Sequence, residues 1–261
     1  MKKNIVLFFV LTTCMTHALK AQTVTLDYYF NNEYKKNAAG EMVRFHYTWE
    51  DKASSGFSVW GEVFKKNGCT IKSLETAPTA DRLKGTDVYI IVDPDTKKET
   101  ANPHFIEEAD IKAITDWVSK GGVLVMMAND SANVELPHFN QLAAKFGIHF
   151  NDDIRNRVTG NQFDMGAFMV PANDPILKTA KKIYMKELCT LGLSGIAKPL
   201  FTDKGDVIFA TAKYGKGTVF AVGDPWIYNE YCNGRLTADF DNDKAADDLT
   251  KWLMQQVPVK K

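Results

Sequence analysis

The sequence predicts an α/β fold built on a mostly parallel sheet, and three observations predict it. The runs Val88–Val92, Val123–Met127 and Thr218–Val222 are apolar and mostly continuous, as strands buried on both faces are. Over the first 150 residues such runs alternate with amphipathic stretches, the pattern of a doubly wound sheet. Each run also ends in polar residues, at Asp93-Pro-Asp95, Asn129-Asp130 and Gly223-Asp-Pro-Trp226. In open α/β sheets ligands bind beyond the carboxyl ends of strands, so these ends predict one polar rim.

The elements follow in order. Lys2 and Lys3, the apolar Ile5–Leu11 and Ala18-Leu-Lys-Ala21 read as a secretory signal peptide over 1–21, cleaved before Gln22. Its apolar core is too short to span a bilayer. Leu11-Thr-Thr-Cys14 is a poor lipoprotein signal, with threonine before the cysteine. Export, to a periplasm or otherwise out of the cytoplasm, is therefore expected, with ordinary cleavage favoured over lipidation at Cys14. Residues 22–261 then form a single α/β domain. Val24–Phe30 is a first strand, followed by a polar, aromatic segment from 31 to 55 without clean periodicity; long irregular loops in compact domains are often functional. A helix over 56–66 places Phe57, Trp60, Val63 and Phe64 on one face, and Asn67-Gly68 closes it. Cys69–Leu74 is a short strand, Thr79–Leu83 a helical turn and Asp87–Val92 a buried strand. Ile111, Ile114, Trp117 and Val118 give a helix over 107–119, stopped by Gly121-Gly122. Pro137 suits the first turn of a helix running to Phe146. From Ile148 to Leu200 the pattern loosens into short strands and turns. Val207–Lys213 and Gly217–Val222 form a β-hairpin about Tyr214-Gly-Lys-Gly217, expected as an antiparallel addition at the sheet edge, and Lys244–Gln256 is a closing helix.

Composition excludes several functions. Lysine plus arginine and aspartate plus glutamate both number 32, so no nucleic-acid or acidic-membrane partner is indicated. Phosphate loops of the G-x-G-x-x-G and G-x-x-x-x-G-K-[ST] kinds do not occur, and no nucleotide cofactor is expected. There is no Cys/His zinc spacing and no calcium loop, so no metal is expected. Cys69, Cys189 and Cys232 remain after cleavage, an odd number compatible with one disulfide or with buried thiols. The turn after the central strand reads Met127-Ala128-Asn129-Asp130-Ser131, with no Gly-x-Ser-x-Gly elbow.

The candidate site residues come from the strand ends and the irregular loop. Carboxylates able to work as acid and base are Asp93, Asp95, Asp130 and Asp224, with His46 in the loop. Asp27, Arg44, Trp49, Asn129, Trp226, Asn229 and Arg235 complete a rim that suits a sugar. Tryptophans, with Tyr228, would stack on pyranose faces, acids would bind hydroxyls, and arginines would meet a uronate carboxylate in bidentate fashion.

Leu26-Asp-Tyr-Tyr-Phe-Asn-Asn-Glu-Tyr34, Phe45-His-Tyr-Thr-Trp-Glu-Asp51, Asp87–Asp95 and Val219–Trp226 together resemble a Bacteroidetes domain of unknown function. That family belongs with the class I glutamine amidotransferase-like fold and is often attached to unsaturated rhamnogalacturonyl hydrolases. The resemblance implies a three-layer, flavodoxin-like architecture and a setting in pectin breakdown. It does not carry amidotransferase activity across, because the elbow cysteine is replaced. It does not carry uronyl hydrolysis either, because the helical toroid that performs it is missing. Three functions stay open: saccharide binding, with an oligosaccharide ligand or a glycoside hydrolase partner; a glycan hydrolase using His46 with Asp224 or Asp130; and a structural docking module.

Overall fold

The structure is a computed structural model and describes residues 21–259. The signal peptide expected over 1–21 lies outside the described residues, apart from Ala21. In chain order the strands and helices are β1 (Thr23–Asp27), β2 (Tyr34–Lys36), β3 (Met42–Arg44), α1 (Ser58–Lys66), β4 (Thr70–Leu74), β5 (Val88–Val92), α2 (Glu108–Ser119) and β6 (Val123–Met127). Then come α3 (Leu136–Ala144), β7 (Ile148–Phe150), β8 (Ala167–Met169), β9 (Lys182–Tyr184), β10 (Leu191–Leu193), β11 (Ala197–Asp203), β12 (Asp206–Tyr214), β13 (Gly217–Val222), α4 (Asn229–Cys232) and α5 (Asn242–Gln256).

A mostly parallel central sheet carries the fold. Its parallel strands lie in the order β4-β1-β5-β6-β13, and β12, β10 and β7 continue it antiparallel, with β11 also on β12. Period-two alternation of side chains assigns the two faces. Val88, Ile90, Val92, Val123, Val125 and Phe220 pack with Trp60 and Phe64 of α1 and Leu249 and Leu253 of α5. Tyr89, Ile91, Leu124, Met126 and Val219 pack with Ile111 and Ile114 of α2 and Phe139 and Leu142 of α3. Helices therefore cover both faces, which explains why β5 and β6 are apolar at every position.

The hairpin is not at the edge. β13 pairs parallel with β6 over five residues and antiparallel with β12 over six, so it lies inside the sheet. Every residue of β13 is buried, and a strand buried on both faces is satisfied only with neighbours on both sides. The loosely patterned stretch after Ile148 supplies the added strands. These are short, three residues each for β7 and β10, and so give little periodicity to read. All three described cysteines are free and buried.

Candidate functional site

Three parallel strands end side by side, and their successors close a cavity of about 230 Å³. Asp93 follows β5, Asn129 and Asp130 follow β6, and Asp224 follows β13. His46 and Tyr47 enter from the loop after β3, Lys186 and Glu187 from the segment after β9, and Tyr228, Glu99 and Asn133 complete the wall.

Six non-glycine residues among those described take a left-handed φ, and four line this cavity: His46, Tyr47, Asp93 and Glu187. Such backbone costs on the order of 1 to 3 kcal/mol per residue and persists only where surrounding structure imposes it. The imposing bonds are present. Asp93 N–H donates to Met127 O at 2.8 Å, Tyr47 N–H to Ser55 O at 2.7 Å, and Glu187 N–H to Asn156 O at 3.0 Å. Asn31 Nδ2 donates to Asp93 O at 2.9 Å. Asp93 and Glu187 are thus anchored by contacts distant in sequence, and Tyr47 within its own loop.

The side chains form an acid-rich wall. Asn129 Nδ2 donates to Asp93 Oδ2 at 3.2 Å, and the Tyr47 hydroxyl shares a hydrogen bond with the same carboxyl. Lys186 N–H donates to Asp224 Oδ2 at 3.1 Å. Asp130 serves its own loop, accepting from Ala132 N–H at 3.0 Å and Asn133 Nδ2 at 2.7 Å. Glu33 Oε1 lies 2.5 Å from His46 Nδ1, and the imidazole stacks on Tyr47 at 4.0 Å. Burial raises Asp224 from an ordinary 3.8 to about 8, against the bond from Lys186. It raises Asp93 well above the carboxylate range, reinforced by Glu99 nearby. Burial thus favours the protonated form of both carboxyls, in which each can donate as well as accept.

His46, Asp93, Asn129, Asp130, Asp224 and Tyr228 are thus brought together, and the other predicted residues lie elsewhere. Trp226 is fully buried against Phe209, with ring centroids 5.4 Å apart, and Trp49 is buried among Phe57, Trp60 and Phe64, its Nε1–H donating to Lys72 O at 3.1 Å. Neither ring can stack on a ligand. Asp27 is buried at the end of β1, capping Tyr29 and Phe30 N–H and accepting from Tyr89; burial raises it to about 7. Asp95 accepts from Asn32 N–H and Thr100 Oγ1, and burial raises it to about 6. Arg44 donates to Tyr28 O at 2.5 Å and lies over the Tyr28 and Tyr34 rings. Arg235 pairs with Glu230. Neither arginine lines the cavity, so the bidentate uronate clamp is not formed there.

Asn229 is a structural latch. Its Oδ1 accepts from Val59 N–H at 2.9 Å, and its Nδ2 reaches Asp51 O, Ala53 O and Ser58 Oγ at 3.0, 2.8 and 3.0 Å. It ties the start of α1 to the loop that carries His46 and Tyr47. Asn229→Ala is expected to lower stability by about 1 to 3 kcal/mol, and Asn229→Asp by more, because a carboxylate would face two carbonyl oxygens. Chemical denaturation of the two variants checks the order.

Sequence reasoning missed Glu99, Lys186, Glu187 and Glu33 as site residues. Glu33 offered one signal, lying within the irregular segment that also holds His46. Lys186 and Glu187 sit in the loosely patterned region and gave none.

An α/β layout, helices on both faces and an acidic cavity at the strand ends define the class: a sheet scaffold with a small polar site at its carboxyl edge. The chain belongs to the family described as Domain of unknown function (DUF4350), whose model matches residues 50–246. No curated protein sequence matches the chain. Among solved structures, the mmIFT52 N-terminal domain is similar over 89% of this chain and 97% of its own, with TM-score 0.66 and 18% identity. Cytoplasmic protein STM3548 from Salmonella typhimurium is similar over 90% and 98%, with TM-score 0.58 and 15% identity. A β-galactosidase from Bacillus circulans sp. alkalophilus is similar over 91% of this chain and 31% of its own, with TM-score 0.54 and 13% identity. At these identities the likeness is one of fold.

Proposed function

We propose that the chain is an exported saccharide-binding domain of the flavodoxin-like, amidotransferase-like kind, holding one sugar residue at the ends of β5, β6 and β13. One observation carries the reading: a small open-mouthed cavity walled by hydrogen-bonding groups and lined by four strained residues. Its volume of about 230 Å³ lies below the range for drug-sized ligands, a size suited to a single ring. Protonated carboxyls, phenols and amides offer the mixed donors and acceptors that sugar hydroxyls use. Recognition then rests on hydrogen bonds, since the tryptophans are buried. Numbering the parallel strands alone gives the order 2-1-3-4-5, which supports the flavodoxin-like reading. A similar fold within a β-galactosidase chain is in keeping with a role beside glycan-degrading enzymes. The pectin setting enters only through the resemblance of sequence motifs.

Titration calorimetry against neutral, amino and uronic monosaccharides and rhamnogalacturonan oligosaccharides tests this, with product release followed in the same samples. Binding without turnover is the expected result. The absence of any heat with every sugar would sink it and leave a docking module.

The hydrolase reading keeps one observation in its favour, the Glu33–His46 pair facing the same cavity as Asp224. A carboxylate that orients an imidazole is a common arrangement for a general base. Under the binding reading, His46→Ala weakens sugar binding by about tenfold, one hydrogen-bonding group's worth, with no product formed by either protein. Product formed by the parent chain and lost in His46→Ala would establish the hydrolase instead.

A further inference from the structure

We infer that the amino ends of the same three strands hold a second binding site, one that takes a small aromatic acid. The site is an open-mouthed cavity of about 770 Å³, within the range of pockets that hold small ligands. Among its lining residues, Asp87 directly precedes β5, Gly122 precedes β6 and Lys216 precedes β13. It therefore lies a strand length, about 16 Å, from the polar cavity and does not rest on the saccharide reading.

The floor is apolar and built around one indole. Trp117, half-buried near the end of α2, lines the cavity with Ala80, Leu83, Ala113 and Pro258. A Cβ on Gly122 would lie 2.4 Å from the indole's Cδ2 and Cε2, so only glycine lets the backbone pass against that ring. Buried Tyr89 meets the indole edge-on, with ring centroids 6.2 Å apart. The ring is thus seated by its neighbours, and an indole so held suits a flat aromatic body.

The rim is cationic. Lys84, Lys120 and Lys216 line the same cavity and are exposed, and no ion pair among the described residues uses any of the three. The acids of the lining are already answered: Asp87 Oδ2 accepts from Thr23 N–H at 2.8 Å, and Asp116 pairs with Lys112 at 2.6 Å. The carbonyls that end α2 are answered too. Trp117 O accepts from Gly122 N–H at 3.2 Å, Val118 O from Gly121 N–H at 2.9 Å and Ser119 O from Lys216 N–H at 2.9 Å. The negative end of the helix dipole, which disfavours an anion, is thereby bonded within the protein. A carboxylate on an aromatic ring would use both the floor and the rim. A neutral ring would leave the lysines unused, and a cation would be repelled by them.

The test uses the purified chain and anilinonaphthalene sulfonate, an aromatic anion that fluoresces when bound. The dye is expected to bind. Naphthoate is expected to displace it at about a tenth of the concentration that neutral naphthamide needs, the gain of one charge-assisted bond. Lys84→Gln, Lys120→Gln and Lys216→Gln combined should weaken dye binding by about tenfold, and Trp117→Ala by at least as much. The lysines are exposed, so the combined variant keeps the test should Trp117→Ala fail to fold. No dye binding, undiminished binding by the combined variant, or equal displacement by naphthoate and naphthamide each overturns the inference. Sedimentation of the free chain as a dimer that the dye dissociates also overturns it, by placing a second copy of the chain in the groove.

Discussion

Trp226→Ala is expected to destabilise the protein by about 3 to 5 kcal/mol, the cost of emptying a fully buried aromatic site. The indole stacks on Phe209, which in turn contacts Phe201 and Phe220, and its own relative exposure is 0%. Removing it opens a void beneath the turn that carries Asp224. Trp226→Phe is expected to cost far less, because it keeps most of the ring and removes an indole Nε1–H that is buried without a partner. Equilibrium denaturation of the two variants gives the measurement. Similar losses in both would mean that the indole contributes more than packing. A stable Trp226→Ala protein that had merely lost sugar binding would contradict the placement of the ring in the core.

Thermal stability is expected to rise as pH falls from about 8 to about 5.5, the reverse of a protein stabilised chiefly by carboxylate ion pairs. Burial raises Asp224 from 3.8 to about 8, Asp27 to about 7 and Asp95 to about 6, and Asp93 moves in the same direction. Between an unfolded value near 3.8 and these folded values, the folded chain holds protons that the unfolded chain has released. Stability is therefore fully present below the unfolded value and is lost as pH climbs through the folded ones. Between about pH 5.5 and 8 Asp224 alone contributes up to about 3 kcal/mol, at roughly 1.4 kcal/mol per unit per proton. Paired acids at the surface act oppositely only at lower pH; Asp239, lowered to about 2 by Lys182, loses its contribution below about 4. Asp224→Asn should raise the melting temperature at pH near 8 and flatten the profile. A melting temperature that is level, or that climbs from pH 5.5 to 8, would show these carboxyls to be ionised in the folded chain.

How legible these features are in the sequence depends on the distance over which each is decided. Val88–Val92 and Val123–Met127 are strands because local chains of apolar residues have few other uses, and both appear as read. The wall residues Asp93, Asn129, Asp130 and Asp224 were legible for a related reason. They follow buried strands directly, so strand direction alone delivers them to one edge. Trp226 and Asn229 show where such reading ends. Both stand in the same polar, aromatic stretch as Asp224, and nothing local tells a ring facing solvent from one turned into the core. The answer lies with Phe209, seventeen residues before Trp226, and with the backbone of Asp51 and Ala53, which Asn229 bonds.

The placement of β13 follows the same rule. Its hairpin with β12 is local and was readable, whereas its parallel pairing with β6 joins Thr218 to Val123 across most of a hundred residues. By itself the sequence determined the α/β class, the polar ends of three strands, and that the turn after the central strand has neither a Gly-x-Ser-x-Gly nor a phosphate-loop motif. Tertiary structure alone decided which polar groups share a cavity, that both candidate arginines lie outside it, and that Lys186 and Glu187 form part of its wall. The physical reason is that strand formation is set by neighbours along the chain. Burial, left-handed backbone and the protonation of a carboxyl are set by whatever the fold packs against it.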